Sequence, residues 1–412
     1  MIITAAIFYL LIIVLSIIIT GDKYNMFLMS NIIFLTTTFL FPFLGILVGL
    51  DVVMTVEGMV MYLLYYFIFF AFYILGRKVK FNDNIGTPEN TRGFYVYLVL
   101  WFCLGVNILF VLYSVANYGI QGAFINSREV YTTTRTGSGQ IYYVASIFLN
   151  LYAILGLFVY KRKILHFLFC VLLALPYGTK GKIFLILIYN LAYVFFVNKD
   201  REKYRRLKYF LPIVIFIPLI MVGAFWYTSI GLDQSALLQF VIGYGNEYEN
   251  NFHDMIIHFD HYFPHGYLNG TILFGDVFYP FIPRVLWPGK PLIFGDLYLS
   301  YIIYPEATIA NAGAPSFGPL GQPYADFGFW GGLVQIFIEQ SILGFLLGRA
   351  ETKCIKYPSI FNFFLLIALS FGGLIGLAAT NRLVLLAFNV TLIFIIFYPL
   401  KYKFVLNKKL RQ

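Results

Sequence analysis

The feature that most constrains this chain is its succession of long apolar runs. A helix needs roughly 20 apolar residues to cross a bilayer. Eleven stretches can serve, at about 2–20, 27–50, 57–76, 94–116, 141–160, 164–178, 182–197, 209–230, 327–348, 359–379 and 383–400. Of 412 residues, 60% are hydrophobic and 12% charged, whereas a soluble domain is about 25% charged. A soluble enzyme, a disordered chain and an ordinary nucleic-acid-binding domain are excluded. The expectation is an all-α polytopic membrane protein.

Charge sets the orientation. Between alternate pairs of runs lie Lys23, then Arg77, Lys78, Lys80 and Arg92, then Lys161, Arg162 and Lys163. The segment from Lys199 to Lys208, then Arg349, Lys353 and Lys356, and the tail from Lys401 to Arg411 complete that set, 22 of the 29 basic residues. The positive-inside rule puts these loops in the cytoplasm. The C-terminus is then cytoplasmic, and eleven crossings put the N-terminus outside. The net charge of +10 is thereby accounted for by topology, since no single basic stripe forms. The run from Met1 to Ile19 has no basic residue before it and reads as a retained helix rather than a cleaved signal. Cys103, Cys170 and Cys354 form no even set in a hydrophilic loop, so no disulfide framework is expected.

Two longer loops face outward, 117–140 and 231–326. The chain therefore divides into 1–230 (eight spans), 231–326 (a large outer loop) and 327–412 (three spans and the tail). The large loop carries nine of the 16 prolines and four of the five histidines. A loop of this length is usually functional. A helix is predicted from about Gln234 to His261, with a break at Gly243 and Gly245. Phe252, Ile256, Ile257 and Phe259 have the spacing of a face lying on the membrane surface. After Pro264 an extended, turn-rich course is expected. There is no internal repeat, which argues against transporters built from repeated halves.

The large loop holds two basic residues, Arg284 and Lys290, among nine acidic ones. They lie in Ile282-Pro283-Arg284-Val285-Leu286-Trp287-Pro288-Gly289-Lys290-Pro291, which three prolines stiffen. A rigid Arg and Lys near the bilayer surface suit a phosphate, the first as a bidentate donor and the second as a point charge; they equally suit local ion pairs. Lys180, in Tyr177-Gly178-Thr179-Lys180-Gly181-Lys182, lies between two apolar runs. A cation at membrane depth costs roughly 2.5–3.5 kcal/mol and is usually functional, although a glycine-flanked Lys can also snorkel to the interface. Arg382 reads the same way, and Arg128 and Arg135 lie in the first outer loop. His253, His258, His261 and His265 match no zinc spacing, so no metal is expected. A single histidine as general base is the better use, with Asp326 and Glu249 open to the same role. Tyr267, Tyr279 and Tyr324 are placed to stack on sugars. Within the spans, Glu339 and His166 stand isolated.

Pro283-Arg284 followed by Trp287-Pro288-Gly289-Lys290-Pro291 resembles a segment of the bacterial O-antigen and oligosaccharide repeat-unit polymerases of the Wzy type. Ser316-Phe317-Gly318-Pro319-Leu320-Gly321, then Tyr324-Ala325-Asp326-Phe327-Gly328 and Gly331, resembles that family's entry into the next helix. Gly178-Thr179-Lys180-Gly181 resembles its Gly-Ser/Thr-Arg-Gly turn, with Lys in place of the usual Arg. The resemblance implies a GT-C-like membrane glycosyltransferase of about eleven spans, working on the outer face of the bacterial inner membrane. Its substrates would be oligosaccharides on undecaprenyl pyrophosphate, the growing glycan being moved onto a new lipid-linked unit. It implies no cofactor, and a flippase and a chain-length regulator as partners. On that reading Arg284 is the first candidate to stabilise the leaving pyrophosphate, with Lys290, Arg128, Arg135, Lys180 and Arg382 as further cations. His253, His265 and Asp326 are candidates to orient or deprotonate the acceptor, and Tyr324 to bind sugar. The rivals are an O-antigen ligase and a lipid-linked oligosaccharide flippase or other transporter. The relatives that act as ligases usually carry a histidine shortly before the helix after the large loop, and 314–326 contains none.

Overall fold

A computed structural model of the chain describes residues 2–22, 24–79, 94–125, 139–198, 237–279, 286–291, 293–309 and 316–370, with a few isolated positions besides. Every regular element among them is helical. Four helical stretches are long and apolar enough to cross a membrane: Ile3–Thr20, Val56–Lys78, Phe94–Phe124 and Gly318–Lys356. The bent pair Met26–Ile32 and Thr36–Leu47 adds a fifth if it counts as one span. Shorter apolar helices occupy Val144–Val159, Lys163–Tyr177, Gly181–Val197 and Ile360–Ser370. Among the described residues the chain is thus all-helical, with the long apolar helices of a polytopic membrane protein. The runs expected at 209–230 and 383–400 lie outside the described residues, apart from single positions.

The chain forms two compact units, interleaved in sequence. The first comprises Met1–Val79, Asp233–Arg349 and Leu377–Leu385. Its helices are α1 (Ile2–Thr20), α2 (Met26–Leu35), α3 (Phe41–Leu47) and α4 (Val56–Lys78). A π-helical turn at Thr36–Leu40 joins α2 to α3. In the second unit, residues 80–232, 350–376 and 386–412, the helices are α5 (Phe94–Phe124), α6 (Gly139–Val159), α7 (Lys163–Ala174) and α8 (Lys180–Ala192). A left-handed turn at Gly178 (φ 62°) leads into α8. That unit holds a buried polar network. The Tyr177 hydroxyl donates to Asn107 Oδ1 at 2.8 Å, Tyr142 donates to the Tyr177 carbonyl at 3.2 Å, and Lys182 donates to the Ser146 hydroxyl.

The large loop departs from an extended course. Back in the first unit come α9 (Leu237–Ile257), α10 (Phe259–Tyr262), α11 (Thr271–Phe278), α12 (Asp296–Ile303), α13 (Pro305–Ile309) and α14 (Gly321–Lys356), the last as far as Arg349. The last described helix, α15 (Ile360–Ser370), belongs to the second unit. The α9 helix runs through Gly243 and Gly245 without a break and stops at His258 instead. Gly245 is needed for packing: a Cβ there would lie 2.4 Å from the Phe41 ring. The face read as membrane-lying is mostly core. Phe252 is fully buried, Ile256 and Phe259 pack against the same cluster, and Ile257 alone of the four is exposed. These residues found partners in Tyr62, Phe263 and Tyr324, which helical spacing cannot foresee.

α14 begins at Gly321, ahead of the apolar run, and bends at Gly328 (φ 69°, ψ −167°). Below the bend it crosses α4 with backbones nearly touching. A Cβ on Gly344 would lie 2.3 Å from the Phe69 carbonyl oxygen, and one on Gly348 2.1 Å from that of Tyr73. Small residues four apart permit such crossings in membranes, where close packing has to drive association.

Candidate active site

α9 is the element around which the candidate residues gather. Two of its faces are polar. The inner face carries Asn246, Glu249, Asn250 and His253, at helical spacing, against the first helices. Thr38 Oγ1 donates to Glu249 Oε1 at 2.9 Å. The Tyr62 hydroxyl lies beside this carboxyl and couples to it, but neither it nor Oε2 closes a bond of ordinary geometry. Burial pushes the Glu249 carboxyl up to about 7, against the opposing pull of its hydroxyl neighbours. Asn250 Oδ1 accepts the Val53 N–H at 3.1 Å, and its Nδ2 donates to the Asp51 carbonyl at 3.0 Å.

His253 is locked in the same way. Its Nδ1 accepts the Thr55 N–H at 3.1 Å. A backbone N–H can only donate, so Nδ1 is unprotonated and the ring proton of the neutral form sits on Nε2. The Thr55 hydroxyl, 2.9 Å from the same nitrogen, accepts the Gly58 N–H at 3.1 Å and so caps α4. Any side chain at Gly58 would strike the imidazole, whose nearest atom is 2.5 Å from an added Cβ. Burial lowers the His253 pKa to about 4. Nominated as a base from sequence, His253 has its lone pair engaged by the protein's own backbone and positions the start of α4.

Asp326 is likewise engaged. Its Oδ1 accepts the Ile272 N–H at 3.1 Å, its Oδ2 the Leu273 N–H at 2.8 Å, and Gln322 Nε2 donates to Oδ2 at 2.8 Å. A carboxylate at the first turn of α11 satisfies free N–H groups and faces the positive end of the helix dipole. Backbone bonds from Leu268 to Ala325 (3.0 Å) and from Asn269 to Asp326 (2.9 Å) complete the clasp. Asp326 therefore ties the large loop to the head of α14. The Tyr324 hydroxyl donates to Glu57 Oε1 at 3.2 Å, and its buried ring meets Phe252, Phe259 and Tyr267, so that ring is core rather than a sugar platform. Glu339 is not isolated, as expected from sequence, but accepts from Gln335 Nε2 at 2.9 Å. Gln335 in turn exchanges bonds with Gln322 (2.8 and 3.2 Å), because the bend at Gly328 folds the two turns together.

Of the candidate cations, Lys290 is described in full. Its Nζ donates to the carbonyls of Tyr279 at 2.7 Å and Ile282 at 3.0 Å, and lies 5.1 Å from the centre of the Phe294 ring. It closes the proline-stiffened segment on itself. Trp287 packs edge-on to Tyr279 at 5.2 Å. Lys180 opens α8 after the left-handed turn at Gly178. Arg284, Arg128, Arg135 and Arg382 lie outside the described residues.

The outer face of α9 carries Asn251, Asp254 and His258. His258 Nδ1 lies 3.0 Å from Asp254 Oδ1, and the Tyr262 hydroxyl donates to Asp254 Oδ2 at 3.1 Å. Alongside, the Tyr304 hydroxyl donates to Asn251 Oδ1 at 3.1 Å, and Asn251 Nδ2 to the Ser316 carbonyl at 3.2 Å. This set was missed from sequence, where His258 was weighed with His261 for metal and not with Asp254, one turn before it. His261 and His265 are exposed. Among the described residues, no three His, Cys, Asp or Glu side chains converge on a metal site. An apolar cleft of about 420 Å³ in the second unit is lined by Val106, Phe110, Tyr113 and Val144 among others, with the Tyr113 phenol as the one ionisable group in that lining.

Two curated proteins are similar to this chain, both O-antigen polymerases, one from Salmonella typhimurium (strain LT2) and one from Salmonella typhi. Each is 28% identical over 362 residues, covering 85% of this chain and 84% of the relative. No family model matches, and no solved structure does. The chain is thus a homologue of these O-antigen polymerases over most of its length, in agreement with its resemblance to the Wzy type.

Proposed function

We propose that this protein is a bacterial inner-membrane glycosyltransferase that polymerises oligosaccharide repeat units into O-antigen or a related surface polysaccharide. The observation that carries the reading is the similarity to O-antigen polymerases along 85% of the chain. The growing glycan leaves undecaprenyl pyrophosphate and joins a new unit on the same lipid. The fold is GT-C-like with eleven spans, its large loop 231–326 faces outward, and its C-terminus is cytoplasmic. A flippase supplies units and a chain-length regulator limits the product.

The chemistry suits the residues. Pyrophosphate is already a good leaving group, so catalysis rests on stabilising its developing charge with preplaced donors. Arg284 is assigned that role, and Lys290, six residues on, bonds the carbonyls of Tyr279 and Ile282. Arg128, Arg135, Lys180 and Arg382 are further cations for the two lipid-linked substrates. Neither a metal nor a nucleotide sugar enters the reaction.

The test is deletion of the gene and examination of the surface glycan on a gel, with wild type and Arg284→Ala restored separately. The expected result is a long ladder with wild type and a core carrying one repeat with Arg284→Ala, at equal protein level. Polymer that accumulates on lipid without reaching its acceptor would mean a ligase. Absence of any repeat from the outer face would mean a flippase.

A further inference from the structure

We propose that His258, oriented by Asp254, is the base that takes the proton of the acceptor sugar hydroxyl; this deepens the polymerase reading and rests on it. The two residues lie one turn apart where α9 ends. Their 3.0 Å contact directs Nδ1 toward a carboxylate oxygen, so the proton of the neutral imidazole is on Nδ1 and the lone pair is on Nε2. Asp254 cannot swing away, because its other oxygen accepts from Tyr262 in α10. Nε2 has no hydrogen-bond partner among the described residues, and the His258 side chain is 54% exposed. A lone-pair nitrogen open to an incoming molecule, with a carboxylate behind it, is the arrangement a general base requires.

The other described bases lack one part or another. His253 and Asp326 have their lone pairs taken by backbone N–H groups. Glu249 is sealed from solvent. His261 and His265 are exposed, but neither contacts a carboxylate among the described residues. Other polar groups lie along the same face of α9. Asn251 and Tyr304 are bonded to each other, and Tyr304 couples to Asp254 and Glu247. Hydroxyl and amide groups beside the base suit a polyhydroxylated acceptor.

The step balances without a further reactant. The acceptor O–H bond breaks and its proton passes to His258 Nε2. That oxygen forms the new bond to the anomeric carbon of the donor glycan. The carbon–oxygen bond to pyrophosphate breaks, and the electron pair leaves with the lipid pyrophosphate.

The experiment uses purified full-length protein in nanodiscs and lipid-linked repeat units extracted from a polymerase-deleted strain, with initial rates of ladder formation from pH 5 to 9. The titrating groups facing His258 are Asp254 on α9 and Tyr262 on α10, with Tyr304 coupled to Asp254 and His261 against Tyr262. Wild type is expected to show a rate that rises with pH through one ionisation. His258→Gln should lose about 100-fold or more in kcat with little change in KM and lose that ionisation. Asp254→Asn should lower kcat and keep that ionisation. Added imidazole should restore part of the rate to His258→Ala, an effect that a merely structural role would not give. A His258→Gln variant with the wild-type rate and pH profile would overturn the assignment while leaving the polymerase reading intact. A wild type that extends no chain would refute the polymerase reading and this assignment with it.

Discussion

Replacing Glu249 with Gln removes a titrating group while keeping the oxygen that accepts from Thr38. Burial holds the carboxyl protonated up to about 7, against 4.5 for the ordinary group. Below pH 4.5 the side chain is protonated in folded and unfolded chains alike, and its titration has no effect. Between 4.5 and 7 the unfolded chain releases the proton and the folded chain keeps it, so stability falls as pH rises. Above 7 the loss is complete. At about 1.36 kcal/mol per pH unit, the wild type loses roughly 3 kcal/mol across this window relative to Glu249→Gln.

His253 opposes this slope. Its pKa is lowered from 6.5 to about 4, so the stability its neutral form contributes is present above 6.5 and is lost as pH falls through 4. Between 4.5 and 6.5 the two slopes cancel, and these groups leave the wild type flat. Glu249→Gln should therefore gain roughly 3 kcal/mol between pH 4 and 6.5, from His253 alone. His253→Asn, which keeps an acceptor near the Thr55 N–H, should show the opposite slope from Glu249. Unfolding of detergent-purified protein, measured at half-unit steps from pH 4 to 8, checks both. A constant offset between Glu249→Gln and wild type at every pH would refute the argument, since it would mean Glu249 titrates alike in the folded and unfolded states.

Two further perturbations address the loop. Asp326→Ala should destabilise by about 1–3 kcal/mol, the cost of leaving buried N–H groups unbonded, with hydrogen exchange rising first at Ile272 and Leu273. Lys290→Met should open the segment it closes. Charged hydrogen bonds contribute about 1.5–3 kcal/mol, so hydrogen exchange at the Ile282 N–H, which bonds the Tyr279 carbonyl, should quicken by about tenfold or more while global unfolding stays nearly unchanged.

The four long apolar helices among the described residues were legible from apolar run length, because the bilayer imposes that length on each crossing. α1 and α4 begin within a residue or so of the expected positions. The course of the large loop was not legible, because its short helices form against other parts of the chain. α11 illustrates this. Its first turn is completed by Asp326, more than 50 residues later in sequence, so no local pattern announces it. Polar candidates were harder still. Asp326 and His253 bear the residue types of acid–base chemistry, yet both are occupied by N–H groups of distant turns. The Gly344–Gly348 spacing in α14 marks the crossing with α4.

The two polar faces of α9 show why residue type alone could not locate the chemistry. Asn246, Glu249, Asn250 and His253 recur at steps of three and four, as do Asn251, Asp254 and His258. Either set would make a polar stripe on an isolated helix, and hydrophobic periodicity does not choose between them. The choice is made by Val53 and Thr55, whose half-buried backbone N–H groups at the approach to α4 need acceptors. Asn250 and His253 supply them and so turn that stripe inward. The other stripe then faces out, and its Asp254 is bonded to a histidine and a tyrosine rather than to the main chain. A side chain whose lone pairs complete the fold cannot also accept a substrate proton without breaking a bond the fold depends on. The outward stripe carries no such obligation, and His258, at its end, has a nitrogen left over for a second molecule.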